Sequence, residues 1–307
     1  MTTPDLMTVV VTHNSRQSID AFAAAVTAEL DDTDALVVVD NASSDDTVDR
    51  VRALLPAATV LEPGRNLGYG AAVNLAFATV RPRSSMLVTN PDALLHPGTL
   101  RRLRAGVQPG IGIVVPRLVD ADGALARSLR REPTLLRAAG EAAVGGLRAG
   151  RVAALGEIVC DPAEYSRART VDWATGAAWL VTTECFDAVG GFAEDFFLYS
   201  EETDFALRAR DHGFATVYLP DAVVTHKGGA SNVDPQLFAL LTRNRVRCYR
   251  RRHGAPATLA FRITLLTGEL ARAGAGRATS RAAVRALLGD VRVLPAGAVT
   301  NGVRHAA

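Results

Sequence analysis

The stretch "MTVVVTHNSRQSIDAFAAAVTAELDDTDALVVVD", Met7 to Asp40, decides the fold class. Its two ends, "MTVVVT" (Met7 to Thr12) and "ALVVVD" (Ala35 to Asp40), are short β-rich apolar runs of the kind that form strands buried on both faces. Between them "QSIDAFAAAVTAEL" repeats apolar residues at helical spacing behind a polar start. Strand, helix and strand in that order predict two parallel neighbours joined by a crossover helix. The alternation continues outward through "DDTVDRVRALL", "TVLE" (Thr59 to Glu62), "GYGAAVNLAFATV", "SMLVT" (Ser85 to Thr89) and "IGIVVP" (Ile111 to Pro116). The expectation is an α/β fold with a mostly parallel sheet and helices on both faces.

Beyond residue 116 the pattern loosens. "DADG" (Asp120 to Gly123) marks a turn between short strands, and "PTLLRAAGEAAVGGLRAGR" reads as a mobile amphipathic segment. Regularity returns at "VDWATGAAWLVTTECFDAVGGF", a helix with an acidic start begins near Ser200, and "ATVYLPDAVVTHKGG" supplies a strand pair ending at His226.

The 307 residues, 48% of them hydrophobic, have a globular composition. No run of about 18 apolar residues occurs and the first residues lack a basic region, so neither a membrane span nor a signal peptide is expected, and the location expected is the cytoplasm. Cys160, Cys185 and Cys248 are odd in number and far apart, which predicts buried thiols rather than disulfides or a metal cluster. The net charge of +2 conceals an asymmetry. From Leu237 to Ala307 there are thirteen arginines and no lysine against only Glu269 and Asp290, so a basic helical region follows an acidic body. Such a block suits an anionic membrane surface or nucleic acid.

In a sheet of this kind ligands bind where the carboxyl ends of the strands open into loops. Asp40 closes its strand and is placed to accept hydrogen bonds from a base or ribose, while Asn41, Ser43 and Ser44 are expected to satisfy the free N–H groups of the next helix. No GxGxxG follows the first strand, which argues against a nicotinamide site. "EPGRNLGYGAAVN" brings two glycines to a helix start, where backbone N–H groups can meet an anion and Arg65 can pair with a diphosphate. "SEETDFALRARDHG" puts Glu201, Glu202 and Asp204 within one helical turn at the edge of an aromatic core, where crowding raises the pKa of at least one and suits a general base. Arg208 is spaced to brace Asp204. Asp92, in "NPD" at a strand tip, and His226, at the end of another, would together make an oxygen and nitrogen site for Mg²⁺ or Mn²⁺.

In order, "VVVTHN", "VVDNASSDDT", "NLGYGAAVN", "NPDALLHPG", "TGAAWLVTTECFDAVGGFAEDFFLYSEETDFALRARDHGF" and "THKGGAS" resemble family 2 glycosyltransferases with the GT-A fold, over about Met7 to Val233. Within that family the chain looks like the bacterial rhamnosyltransferases that move L-rhamnose from dTDP-L-rhamnose to polyprenyl-diphosphate-linked GlcNAc. The resemblance implies a Rossmann-like GT-A domain over residues 1–236, with a nucleotide-sugar half at 1–116, an acceptor and catalytic half at 117–236, and a basic helical region at 237–307. It assigns Thr12, Asn14 and Asp40 to the nucleotide pocket, and Asn66, Gly68 and Asn74 to the donor loop and helix. Asn90 and Asp92 take the place of the Asp-x-Asp motif, with Asp92 and His226 as metal ligands. Asn90 departs from the pattern by replacing the first acid. Glu202 is implied as the base, Glu201 as its alternate, and Asp204 as a structural or acceptor-site partner. Residues 127–169 are expected to form part of the acceptor site.

The reaction so implied is an inverting transfer in polysaccharide or cell-wall synthesis, with the enzyme peripheral on the inner face of the membrane. Arg243, Arg245, Arg247 and Arg250 to Arg252 are the residues expected to meet anionic lipid. The same motifs serve enzymes using UDP-galactofuranose, UDP-glucose or GDP-mannose. A different class of reading, an inactive nucleotide-sugar-binding or scaffolding protein, rests on Asn90 and is opposed by the intact "EETD" and His226. Nucleic acid fits the arginines but not the acidic strand tips and is not expected as a partner; a homo-oligomer is compatible with the composition.

Overall fold

The computed structural model describes residues 3–228 and 234–289. Its first part runs β1 (Leu6–Thr12), α1 (Arg16–Thr27), β2 (Ala35–Asp40), α2 (Thr47–Leu54), β3 (Thr59–Leu61), α3 (Tyr69–Thr79), β4 (Ser85–Thr89), β5 (Ala93–Leu95), α4 (Thr99–Ala105) and β6 (Ile111–Val119). The second part adds β7 (Leu129–Arg130), α5 (Leu135–Val144), α6 (Gly146–Ala149), β8 (Arg169–Val171), β9 (Trp173–Ala174), β10 (Ala178–Thr182), α7 (Thr183–Val189), α8 (Glu201–Asp211) and β11 (Ala215–His226). Three helices follow, α9 (Pro235–Arg252), α10 (Ala255–Gly274) and α11 (Ala278–Leu288).

The main sheet has the order β3-β2-β1-β4-β10-β6-β11-β5, with β8 also on β11, and its β1, β2, β3 and β4 neighbours are parallel, as are β6 and β11. Alternate residues of β1 feed opposite cores: Met7, Val9 and Val11 pack with α3 residues Ala72, Val73 and Ala76, whereas Leu6 and Val10 pack with Ile19, Phe22 and Val26 of α1. Helices therefore cover both faces, as expected for this GT-A-like architecture. The central β10 is antiparallel to both β4 and β6. Its five residues are all buried, so its apolar run matches that of a parallel strand and only the pairing reveals its direction. The expected strand pair before His226 is one strand, β11, whose register shifts between Leu219 and Val223 around Pro220, a residue without an N–H for the ladder.

The segment expected to be mobile is built into the body. Thr134 caps α5 by accepting from the Arg137 N–H at 3.2 Å, and Arg131 donates to the Gly156 carbonyl at 2.9 Å. Helices α5, α9, α10 and α11 share a third core of Ala138, Val246, Tyr249, Phe261, Leu265 and Leu287. The three cysteines are free and buried.

The arginines of α9 correct the charge expectation. Arg245 bridges Glu141 and Glu157 at 3.0 and 2.8 Å, Arg247 pairs with Asp195 at 2.7 Å, Arg251 with Asp195 and Asp204, and Arg252 with Asp211 and Glu132. Of the six arginines expected to face lipid, these four instead pair with the acidic body, where Glu141, Glu157 and Asp204 are buried carboxylates that are costly without a cation, while Arg243 and Arg250 make no such pair among the described residues. Arg292 and Arg304 lie outside the described residues.

Candidate active site

The pairings place the carboxyl ends of β1, β2, β4 and β11 on one side of the sheet. Thr12 and Asp40 are register partners there, and Thr12 Oγ1 donates to Asp40 Oδ1 at 2.8 Å. Ser43 adds two bonds, from Oγ to Oδ1 at 2.6 Å and from its N–H to Oδ2 at 2.8 Å. Asp40, 3% exposed, thus holds its own loop and keeps one acceptor position on Oδ2. Asn14 braces the same loop, accepting from the Ser44 N–H at 2.8 Å while its own N–H donates to Ser43 Oγ. The capping expected of Asn41, Ser43 and Ser44 is not what they do. The helix N-cap is Asp46, and Asp45 takes the Thr47 N–H at 3.1 Å. Asn41, buried, is a crossbar: its Nδ2 donates to the Gly68 carbonyl at 3.1 Å and its Oδ1 accepts from the Leu67 N–H at 3.2 Å.

That crossbar fixes the loop carrying Arg65, Asn66 and Gly68. Asn66 Oδ1 accepts from the Gly68 N–H at 2.9 Å. Gly68 has φ 86°, and a Cβ there would stand 2.4 Å from the Phe197 carbonyl oxygen, so glycine is required on both counts. Arg65 is exposed and makes no hydrogen bond or ion pair with the described residues, which leaves its guanidinium free for a ligand. Asn74, expected in the donor pocket, is spent as a clamp, donating to the Phe192 carbonyl and to Glu194 and accepting from the Phe192 N–H.

Asp92 and His226 meet because β5 pairs antiparallel to β11 with Ala93 opposite His226. Asp92 Oδ1 lies 3.3 Å from His226 Nε2, Oδ2 accepts from the Gly228 N–H at 3.3 Å, and Asn90 Nδ2 is 3.4 Å from the same imidazole nitrogen. Burial works to raise the Asp92 pKa, but the hydrogen bond and charge of His226 and the Gly228 N–H together hold it below the usual carboxylate value. Among the described residues no third acid, histidine or cysteine joins them as a possible ligand. One carboxylate and one imidazole suit a divalent cation that takes its remaining ligands from phosphate and water, and the donor set fits Mg²⁺ or Mn²⁺ in that form rather than in an all-protein cage.

The acids of α8 separate in role. Glu201 is 2% exposed, and its Oε2 has no hydrogen-bond partner among the described residues. Burial, then the charge of Glu202, pushes its pKa well above 4.5. Glu202, less buried, is also raised by burial, with the backbone N–H groups of Glu202, Gly176 and Ser200 pulling back. Two such carboxyls sharing a site titrate as a pair, and the better solvated one takes the charge. A Cβ on Gly176 would come 2.8 Å from Glu202 Oε1, so Glu202 sits directly on this glycine. Asp204 is closed off by Arg208 at 2.7 Å and Arg251 at 3.1 Å; of its two expected roles the geometry builds the brace.

Residues that sequence reasoning passed over complete the site. Tyr69 at the start of α3 has its hydroxyl 3.5 Å from the Gly176 carbonyl. Burial, then the charges of Glu202, Glu201 and Asp92, hold its phenol well above 10.0. Asn244 of α9, fully buried, donates to the carbonyls of Phe196 and Leu198 at 2.8 Å and of Tyr199 at 3.2 Å. It steadies a segment in which Phe197, Tyr199 and Ser200 all have positive φ, immediately before the acids. A lone asparagine in an arginine-rich helix is its one signal in the sequence.

Residues 2–250 match the family model described as glycosyltransferase like family 2. The chain is 31% identical over 245 residues to the N-acetylglucosaminyl-diphospho-decaprenol L-rhamnosyltransferase of Mycobacterium tuberculosis, covering 75% of this chain and 78% of that protein. Among solved structures it resembles the mannosyltransferase PcManGT of Pyrobaculum calidifontis in complex with GDP-Man and Mn²⁺, with a TM-score of 0.59 at 20% identity over 94% of this chain and 81% of that one. GalNAc-T7 with UDP, GalNAc and Mn²⁺ superimposes with the same TM-score, 0.59, at 12% identity over 80% of this chain and 48% of that one.

Proposed function

The chain belongs to glycosyltransferase family 2, and we propose that within it this enzyme transfers L-rhamnose from dTDP-L-rhamnose to a glycan carried on a polyprenyl diphosphate, in cell-wall polysaccharide synthesis. The name of the mycobacterial relative supports the sugar and the lipid-linked acceptor. The observation that carries the chemistry is the acid pair, with Glu202 lying against Gly176, next to Ala177, whose carbonyl takes the Asn90 N–H at 3.0 Å two residues before Asp92 and its partner His226.

Glu202 accepts the proton of the acceptor hydroxyl as that oxygen attacks the anomeric carbon. The new C–O bond forms with inversion, and the bonding pair of the old one leaves with the nucleoside diphosphate. Glu201 stays protonated beside it, so the pair carries a single charge and Glu202 remains basic. Arg65 binds the donor's phosphates, and Thr12, Asn14, Asp40, Asn66 and Gly68 shape the nucleotide pocket. Asp92 and His226, with Asn90 beside them, would hold Mg²⁺ or Mn²⁺, which when bound offsets charge on the diphosphate. On this reading the enzyme works at the inner face of the cell membrane, where such acceptors reside. Among the described residues no helix is long and apolar enough to cross a membrane.

Thermal shift and transfer to a polyprenyl-diphosphate-linked GlcNAc acceptor, run with dTDP-rhamnose, UDP-galactofuranose, UDP-glucose and GDP-mannose, test the proposal. A ligand at about 100 times its Kd adds about 2.7 kcal/mol to stability, so a true donor raises Tm visibly. Turnover with dTDP-rhamnose alone supports it. Turnover with a different donor alone overturns the sugar, and donor binding without any turnover overturns the chemistry.

A further inference from the structure

The outer faces of α5 and α10 carry no charge and are covered by nothing among the described residues. Leu259, Ile263 and Leu270 of α10 are 57%, 54% and 51% exposed, at a spacing that puts them on one helix face. Every charged side chain of α10 is drawn inward: Arg262 donates to the Leu287 and Gly289 carbonyls, Glu269 pairs with Arg272, and Arg272 also donates to the Glu141 carbonyl. The neighbouring α5 packs so closely that a Cβ on Gly268 would stand 2.9 Å from the Cβ of Ala142. Leu136 at 57%, Val144 at 48% and, in α6, Leu147 at 60% are exposed there, while Arg137 and Glu141 are turned into the body. Monomeric soluble proteins rarely leave apolar surface of this extent bare.

The charge around these faces names the occupant. Arg148 and Arg151 beyond α5, and Arg277, Arg281 and Arg285 at four-residue steps along α11, are exposed and unpaired among the described residues. Across residues 133–156 and 253–289 the carboxylates are Glu141 and Glu269, both buried, so the surface offers cations and no exposed acid. A second copy docked here by a two-fold axis would set arginine against arginine without a counter-charge. An anionic bilayer supplies both halves of the match, an apolar layer for the leucines and phosphate headgroups for the arginines.

We propose that α5, α6, α10 and α11 form the membrane-docking surface of this enzyme and lie in the interface of an anionic bilayer. This surface takes the place of Arg245, Arg247, Arg251 and Arg252 of α9, whose charges are paired within the protein, and it does not depend on which sugar is transferred. The test is co-sedimentation of the full chain with phosphatidylcholine vesicles with and without phosphatidylglycerol, at low and high salt. Vesicle binding needs neither donor nor acceptor, so it can fail while transfer stands, and the reverse. The wild type is expected to bind the anionic vesicles and to lose binding with salt. The double variant Leu259→Glu/Ile263→Glu and the triple variant Arg277→Ser/Arg281→Ser/Arg285→Ser should each bind roughly ten-fold or more weakly. Because all five positions are exposed, their thermal melts should match the wild type; Leu136→Ser replaces the double variant should that one fail to fold. Wild-type protein that stays in the supernatant, or variants that sediment as well as wild type, would overturn the proposal. So would a wild-type dimer in light scattering that Leu259→Glu/Ile263→Glu dissolves while vesicle binding is absent.

Discussion

Glu201 and Glu202 are adjacent in sequence and have the same chemistry, yet burial gives them different work. Glu201 folds into a site where its pKa stands well above the 4.5 of an unfolded chain, so the native state holds the proton more tightly than the unfolded state. Its contribution to stability is therefore complete below about pH 4.5 and is lost as pH rises through the raised native value. Glu201→Gln should flatten this part of the pH dependence and raise Tm at pH 8 by about 2 °C or more, read by thermal melts across pH. Gly176→Ala should do the opposite kind of damage. Its Cβ would stand 2.7 Å from Glu202 Cγ and 2.8 Å from Oε1, displacing that side chain, so kcat should fall about tenfold or more with donor affinity unchanged. At this scale the meeting of Asp92 with His226 was legible, because each stands at the mouth of a strand. Asn41 and Tyr69 were not, since what they do is set by the loop across from them.

The element that matters most is the short segment from Phe196 to Ser200, which turns the chain into α8. Three non-glycine residues with positive φ hold it in a conformation the local sequence does not favour. The compensation comes from Asn244, forty-odd residues later, whose amide binds three of its carbonyls. Asn244→Ala should cost about 1 to 3 kcal/mol in denaturant unfolding and lower kcat, because the carbonyls lose their donor and the acids lose their register. Restoration of turnover by Asn244→Gln at partial stability would identify positioning as the cause. Elements of strong local pattern, such as β1, β2 and β4, were readable to within a residue or so, while α1 ends at Thr27 rather than at Leu30. The antiparallel sense of β10 was not, because a strand buried on both faces has the same composition whichever way it runs.

Over the whole molecule the governing feature is charge matched within the chain. A basic C-terminal region docks on an acidic body through Arg245, Arg247, Arg251 and Arg252, and in doing so supports Asp204 and the segment before Glu201 and Glu202. The asymmetry was plain in the sequence, but that these four arginines turn inward required the fold. Arg245→Ala, which strands Glu141 and Glu157 without their cation, should lower the unfolding free energy by about 3 kcal/mol or more in denaturant titration. The central claim, that Glu202 is the base of a sugar transfer, is tested most directly by Glu202→Gln. With dTDP-rhamnose and a lipid-linked GlcNAc acceptor, turnover should fall by about 10² to 10⁴ while the donor still raises Tm as in the wild type. Turnover within a few fold of wild type would contradict it.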